Sequence, residues 1–207
     1  MAKQKSSLGG ALGFVTLVTT KVMAAVKEYG EDVLLGLSEY KLGPVVDRFV
    51  ADLVALAKAA SNVLRINVGG NRTTEQVVAA GNYNNRSNPN ITSQLFPWRR
   101  RSGKRTIELV DMAEHGFSLT YSFDDALALL DKLGLDRPVY EDGLLIGEQH
   151  PKKQKERSIM FPHEPLAVGR DSSVVCLWGG AGDRKLGLGW TSSRWVSSVL
   201  VAGVRKS

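Results

Sequence analysis

The fold of this chain is decided by its C-terminal stretch, Val174-Val-Cys-Leu-Trp-Gly-Gly-Ala-Gly-Asp-Arg-Lys-Leu-Gly-Leu-Gly-Trp190, which runs on into Arg194-Trp-Val-Ser-Ser-Val-Leu-Val-Ala-Gly-Val-Arg205. Apolar runs broken by glycine-rich segments predict three short strands joined by turns. Aromatic residues lie at the strand ends, and no cluster of catalytic residue types accompanies them. We therefore expect a surface that binds or displays.

Two interpretations compete for the glycines of residues 179–185. A phosphate-binding loop of the Walker type needs Gly-Lys followed by Ser or Thr at the start of a helix. Here Lys185 is followed by Leu-Gly-Leu-Gly, which is a strand pattern. The sequence therefore favours a hairpin turn in which the glycines supply positive φ angles.

From residue 62 onward, short strands alternate with short helices. In chain order we predict a strand over residues 63–68, a short helix between Thr73 and Gly81, an exposed loop over residues 82–90, a strand over residues 106–110, a helix after Ser122 and a second helix over residues 141–149. The helix after Ser122 has one apolar face, formed by Phe123, Ala126, Leu127, Leu130 and Leu133, and Gly134 ends it. This order predicts an α+β domain over residues 62–207.

The N-terminal part, residues 1–61, reads as a helical extension of that domain. Residues 44–58 begin with Pro44, which suits the first helical position, and carry a broad apolar stripe that includes Phe49 and Leu53. Such a stripe has to be covered, either by the rest of the chain or by a second copy. A homo-oligomer formed through residues 44–58 is therefore one expectation.

Composition limits the partners and the compartment. The formal net charge is +6, which favours acidic partners such as nucleic acid, anionic lipid or an acidic protein surface. The single cysteine, Cys176, sits in an apolar strand pattern and is expected to be buried. The apolar stretch near the N-terminus is interrupted by glycines and Lys21 and is shorter than the about 20 residues of a membrane span, so we expect a cytoplasmic protein.

Several short motifs resemble those of C-type-lectin-like domains. More specifically, residues 64–206 look like a family of bacterial and candidate-phylum proteins related in pattern to the variable proteins of diversity-generating retroelements and to the formylglycine-generating-enzyme fold. The motifs are Ala79-Ala-Gly-Asn-Tyr83, Ile91-Thr92 with Phe96-Pro97, Leu133-Gly-Leu135 with Arg137-Pro138, Leu144-Leu-Ile-Gly147 with His150-Pro151, and Cys176-Leu-Trp-Gly-Gly180 with Val204-Arg205. The resemblance implies a ligand-binding scaffold whose last strand pairs near the N-terminal strand of the domain. Oxidase chemistry of the formylglycine type needs a cysteine pair, which one cysteine cannot supply.

The leading candidate site is the C-terminal hairpin surface. Its candidate partner-binding residues are Trp178, Arg184, Trp190, Arg194 and Trp195. Tryptophan and arginine dominate binding hot spots because they combine a large contact area with a polar group. About half of the aromatic side chains are expected to be exposed, because alternate residues of a strand point into the core.

Two basic clusters form the alternative site, which would bind nucleic acid or a ribosome through phosphate contacts and base stacking. The candidate residues are Trp98, Arg99, Arg100, Arg101, Lys104 and Arg105 in the first cluster and Lys152, Lys153 and Lys155 in the second, which extends to Arg157. A solvated loop that keeps the protein in solution is the plainer interpretation of both clusters.

Catalysis has little support in the sequence. His115, His150 and His163 are scattered without metal-ligand spacing, and no Gly-x-Ser-x-Gly motif places a nucleophile. We therefore expect no catalytic residues, metal or cofactor. The predicted function is non-enzymatic recognition of a protein or other macromolecule.

Overall fold

The computed structural model describes residues 48, 51, 52, 61–83, 85–99, 102–180 and 183–206. The chain divides into two units, Met1–Ala57 and Lys58–Ser207. Of the predicted helix over residues 44–58, Arg48, Ala51 and Asp52 are described, and they are helical and exposed. The apolar stripe of that helix lies outside the described residues, so the oligomer built on it remains a prediction.

The second unit contains short strands and helices in alternation, as the α+β prediction requires. The strands are β1 (Val63–Gly69), β2 (Ser102–Val110), β3 (Thr120–Tyr121), β4 (Ile159–Met160), β5 (Leu166–Val168), β6 (Asp171–Gly179), β7 (Arg184–Trp190), β8 (Trp195–Val196) and β9 (Leu200–Val204). The helices are α1 (Thr74–Ala80), α2 (Phe123–Lys132), α3 (Tyr140–Gln149) and α4 (Lys153–Glu156), and a 3-10 turn spans Met112–His115.

Seven of the strands form one mixed sheet in the order β1-β2-β9-β4-β6-β5, with β7 paired to β6. The pairing of β4 with β9 is parallel, and the other pairings are antiparallel. Cys176 pairs with Met160 on one side and with Gly187 on the other, so β4 and β7 lie on opposite edges of β6. β3 and β8 form a separate two-stranded sheet.

Each face of the large sheet is covered by its own helices. On one face, α1 and α3 pack on alternate residues of β1, β2, β6 and β9, and α3 is buried from Tyr140 to Gly147. Gly143 allows this close packing, since a Cβ there would lie 2.9 Å from the Val175 side chain. On the other face, α2 covers Val174, Cys176 and Val201.

The helix starts follow the predicted caps. Thr73 accepts a hydrogen bond from the Gln76 amide, and Ser122 accepts one from the Asp125 amide at 3.0 Å, so both capping boxes are present. The predicted apolar face of α2 needs correction: Leu129 is buried, whereas Leu133 is 39% exposed at the C-terminal end of the helix.

The C-terminal strands differ from the prediction in number. Four strands follow residue 170 instead of three, and the last of them, β9, lies between β2 and β4. Neither Gly179 nor Gly180 has a positive φ. Gly179 is instead needed for close approach, because a Cβ there would overlap the Gln154 carbonyl oxygen. The predicted exposed loop over residues 82–90 is also anchored, since Tyr83 is 4% exposed.

Candidate functional site

The β6–β7 hairpin carries two glycines that make room for aromatic rings. Gly187 and Gly189 lie opposite Cys176 and Val174 in the register. A Cβ at Gly187 would lie 2.8 Å from the indole nitrogen of Trp178, and a Cβ at Gly189 would overlap the Trp195 ring. The Leu-Gly-Leu-Gly pattern of β7 therefore leaves this face of the hairpin flat enough for two indoles.

The two indoles stack on each other above the glycines. The rings of Trp178 and Trp195 are nearly parallel, with an interplanar angle of 3° and centroids 5.8 Å apart. Trp195 is buried and pairs through its backbone with Tyr121, which anchors β8 to β3. Trp178 is half-buried. The stack is therefore fixed on its inner side and open on its outer side.

A cleft of about 320 Å³ opens beside this stack. Its lining includes Trp178, Leu188, Trp190, Arg194, Trp195 and Val196. Trp190 is 56% exposed and Val196 is 54% exposed, although both have large apolar side chains. Such side chains around a concave surface are typical of interaction sites. We call this site the tryptophan cleft.

Polar contacts place one cation at the rim of the tryptophan cleft. The Arg194 guanidinium donates to the Thr120 hydroxyl at 3.0 Å and to the Thr120 carbonyl oxygen at 3.3 Å. Its charge helps to lower the pKa of Asp125, although the first cause of that shift is the hydrogen bonds from Ser122. Leu119, which is 79% exposed, accepts a hydrogen bond from Ser197 and so lies next to β8.

The structure brings four of the five candidate partner-binding residues together and separates the fifth. Arg184 is half-buried and donates to the carbonyl oxygens of Gly81 at 2.5 Å and of Gly147. Its guanidinium also lies 4.8 Å from the centre of the Tyr83 ring. Arg184 therefore ties β7 to α1 and α3, and it does not line the cleft. Sequence could not show this, because the partners are backbone atoms.

The first basic cluster is partly engaged in the fold. Trp98 is half-buried, with the Arg72 guanidinium 5.9 Å from its ring centre. Arg105 pairs with the fully buried Asp142 at 3.0 Å, so it stabilises the start of α3. Arg99 and Lys104 are exposed, whereas Arg100 and Arg101 lie outside the described residues.

The second basic cluster follows the C-terminal end of α3. Lys153 pairs with Glu156 at 2.9 Å, while Lys152 and Lys155 are exposed. Arg157 forms an ion pair with Asp111, and its guanidinium is the first cause of the lowered pKa of that carboxyl group. A ten-residue helix, about 15 Å long, separates this cluster from the Arg105–Asp142 pair.

Two buried groups resemble functional residues but serve the core. Cys176 is 1% exposed, as predicted, and burial raises the pKa of its thiol. His163 accepts a hydrogen bond from the Val175 amide at Nε2 and contacts the Glu164 carbonyl oxygen through Nδ1 at 2.7 Å, which requires the neutral ring with its proton on Nδ1. Burial lowers the pKa of His163 to about 4.

Two absences apply to the described part of the chain. No group of three or more His, Cys, Asp or Glu side chains there could hold a metal ion. No helix among those residues has the length and apolar character needed to cross a bilayer.

Sequence reasoning missed the apolar part of the cleft. Leu188, Val196 and Val199 line it beside the tryptophans. No local signal marked Leu188, because its same-face neighbours in the strand, Leu186 and Trp190, are both large. No pattern in the sequence marked Val196, because β8 is only two residues long.

Comparison of the chain with protein-family models, with curated proteins and with solved structures found no match in any of the three.

Proposed function

We propose that this protein is a non-enzymatic binding protein that recognises a macromolecular partner, in the first place another protein, through the tryptophan cleft. The observation that carries the proposal is the exposure of Trp190 and Val196 at the mouth of a concave site whose inner wall is a fixed indole stack. A rigid aromatic wall contributes contact area with little loss of side-chain entropy on binding.

The distribution of exposed apolar side chains supports this location. The large hydrophobic side chains exposed in the described residues are Leu95, Leu119, Leu133, Trp190 and Val196. Two of these line the cleft, and Leu119 lies beside β8. Three of these five exposed side chains therefore lie at the cleft or beside the strand that lines it.

The same proposal includes the finer fold assignment, a C-type-lectin-like domain related in pattern to diversity-generating-retroelement variable proteins. In support, the last strand β9 pairs antiparallel with an early strand, and helices cover the sheet on both faces. The early strand is β2, the direct neighbour of the N-terminal strand β1. A cytoplasmic location belongs to the proposal as well.

The test is capture of partners from the source cell with three forms of the full chain: wild type, Trp190→Ala and Leu95→Ala. Leu95 is the matched control, because it is 38% exposed and is not among the residues that line the cleft. We expect proteins recovered with wild type and Leu95→Ala to be lost with Trp190→Ala. Equal recovery with all three forms would contradict the proposal.

A second candidate is nucleic-acid or ribosome association, favoured by the exposure of Arg99, Lys104, Lys152 and Lys155 on a protein of net charge +6. Each phosphate contact would add a log–log salt slope of about −0.7 to −0.9 to the affinity. Replacing Lys104, Lys152 and Lys155 by alanine should then flatten the slope for a generic RNA. Arg105 is left intact in this test, because removing it would leave Asp142 buried without its cation.

A further inference from the structure

The outer edge of β7 lies next to the tryptophan cleft and offers backbone groups in a row. The Thr191 amide donates to the Ser172 carbonyl oxygen. Ser173 and Trp190, which lie opposite each other, are therefore a non-hydrogen-bonded pair of the antiparallel ladder. By the alternation of an antiparallel ladder, the N–H and C=O groups of Leu186 and Leu188 and the N–H of Trp190 then point away from β6.

The chain itself covers the first part of this edge. The Leu186 amide donates to the Arg86 carbonyl oxygen at 3.1 Å, and the Asn88 amide donates to the Leu186 carbonyl oxygen at 2.8 Å. Ser87 and Leu186 therefore form a parallel bridge. Residues 86–88 act as a short added strand on β7.

That added strand stops one step before Leu188 for a local reason. Continuing the ladder would need the Asn88 carbonyl oxygen to accept from Leu188 and the Asn90 amide to donate to Leu188. Instead, the Asn88 carbonyl oxygen accepts from the Ile91 amide, and the Asn90 amide donates to the Asn88 side chain at 2.9 Å. Both groups are thus used by the turn around Pro89, and no described residue replaces them at Leu188.

The open edge and the cleft share Leu188 and Trp190, which belong to both. A partner strand paired at Leu188 would therefore place every second side chain on the face of the sheet that carries the indole stack. Arg194 is the charged residue in the cleft lining, and its hydrogen bonds go to the uncharged Thr120. An acidic side chain in the bound segment would complement this cation.

We infer that the partner binds as an extended peptide segment that adds a strand to β7 at Leu188 and Trp190. This mode of binding rests on the proposed function. The segment carries a bulky apolar residue for the tryptophan cleft and an acidic residue for Arg194. Main-chain hydrogen bonds at a sheet edge contribute affinity, and pockets for alternate side chains contribute specificity.

The experiment selects linear peptides from a random phage-displayed library on the immobilised full chain, with Trp190→Ala as counter-target. Selected peptides are then synthesised with a single N-methyl group at each position in turn. We expect N-methylation to weaken binding about tenfold or more at every second residue of the bound segment and to be tolerated at the residues between, since only alternate amides face β7. The Leu188 amide should exchange more slowly with solvent when the peptide is bound.

A protein variant gives a second readout. Leu188→Pro removes the outward N–H without removing a bond to β6, and Leu188→Val keeps that N–H. Peptide binding should be about tenfold or more weaker in the first variant than in the second, because both variants lose the leucine side chain and only the first loses the N–H. Trp190-dependent peptides that tolerate N-methylation throughout and leave Leu188 exchange unchanged would overturn the edge pairing and leave the cleft as the site. Absence of any Trp190-dependent peptide would also overturn the inference, while partner capture lost with Trp190→Ala would still support the proposed function.

Discussion

Two regions of this domain use glycine in the same way and end in different structures. Under α3, Gly147 leaves room for the Tyr83 ring, because a Cβ there would overlap the tyrosine hydroxyl. On β7, Gly189 leaves room for the Trp195 ring. Tyr83 is covered by Arg184, whereas the ring beside Trp195, that of Trp178, faces the tryptophan cleft.

The difference shows what turns an aromatic cluster into a site. In the region around Tyr83, which we call the closed region, Arg184 donates to the carbonyl oxygens of Gly81 and Gly147 and covers the Tyr83 ring. In the open region, the cation of the cleft lining is Arg194, which donates to Thr120 at the rim and leaves the cleft unfilled. The absence of a covering side chain, more than the presence of tryptophan, distinguishes the open region.

The largest effect should come from filling the closed region. Gly147→Val should lower the free energy of unfolding by at least about 3 kcal/mol, because the buried Tyr83 ring and α3 cannot both keep their positions. Denaturant unfolding of the full chain measures this loss. The Tyr83 hydroxyl has no hydrogen-bond partner among the described residues, so Tyr83→Phe should be tolerated and should recover part of the stability of Gly147→Ala. If Tyr83→Phe/Gly147→Ala is no more stable than Gly147→Ala alone, the clash is not with the Tyr83 hydroxyl.

The next effect concerns acid and arises near the start of α3, where the His163 ring lies beside Tyr140. The pKa of His163 is lowered to about 4 by burial, against an ordinary value of 6.5. Its contribution is fully present above pH 6.5. As the pH falls below 6.5, the unfolded chain binds a proton that the folded chain does not, so about 3 kcal/mol should be lost by pH 4. His163→Gln keeps an acceptor for the Val175 amide and should unfold with a flatter pH dependence. Parallel pH profiles for the two proteins would contradict the buried neutral ring.

A smaller loss of stability is expected when the open region is filled. Gly189→Ala should displace Trp195 and lower the free energy of unfolding by about 2 kcal/mol. The near-ultraviolet circular dichroism of the stacked indoles should change at the same time. Gly180→Ala is the control, because a Cβ there meets nothing within 4 Å. An unchanged spectrum for Gly189→Ala would contradict the inference that Gly189 makes room for the Trp195 ring.

Local signals in the sequence predicted much of the fold. The caps at Thr73 and Ser122 and the buried Cys176 are decided by neighbours along the chain, and the structure has them as predicted. Strand order could not be predicted in this way, because the place of β9 between β2 and β4 depends on packing between distant segments.

In the candidate site, too, local features were predictable and contacts between distant segments were not. Tryptophan content pointed to the hairpin, and four of the five predicted residues meet there. Arg184 was misplaced because its partners are carbonyl oxygens of Gly81 and Gly147, which every residue type possesses. The open edge at Leu188 could not be predicted from the sequence either, because it arises from a turn about a hundred residues earlier in the chain.

The most direct measurement compares binding and stability in one variant, Trp190→Ala. Trp190 is 56% exposed, so its removal should change the free energy of unfolding by no more than about 0.5 kcal/mol. Affinity for the captured partner should fall about tenfold or more, since an exposed tryptophan at the mouth of a cleft is a typical hot-spot residue. Unchanged affinity with unchanged stability would contradict the tryptophan cleft as the binding site.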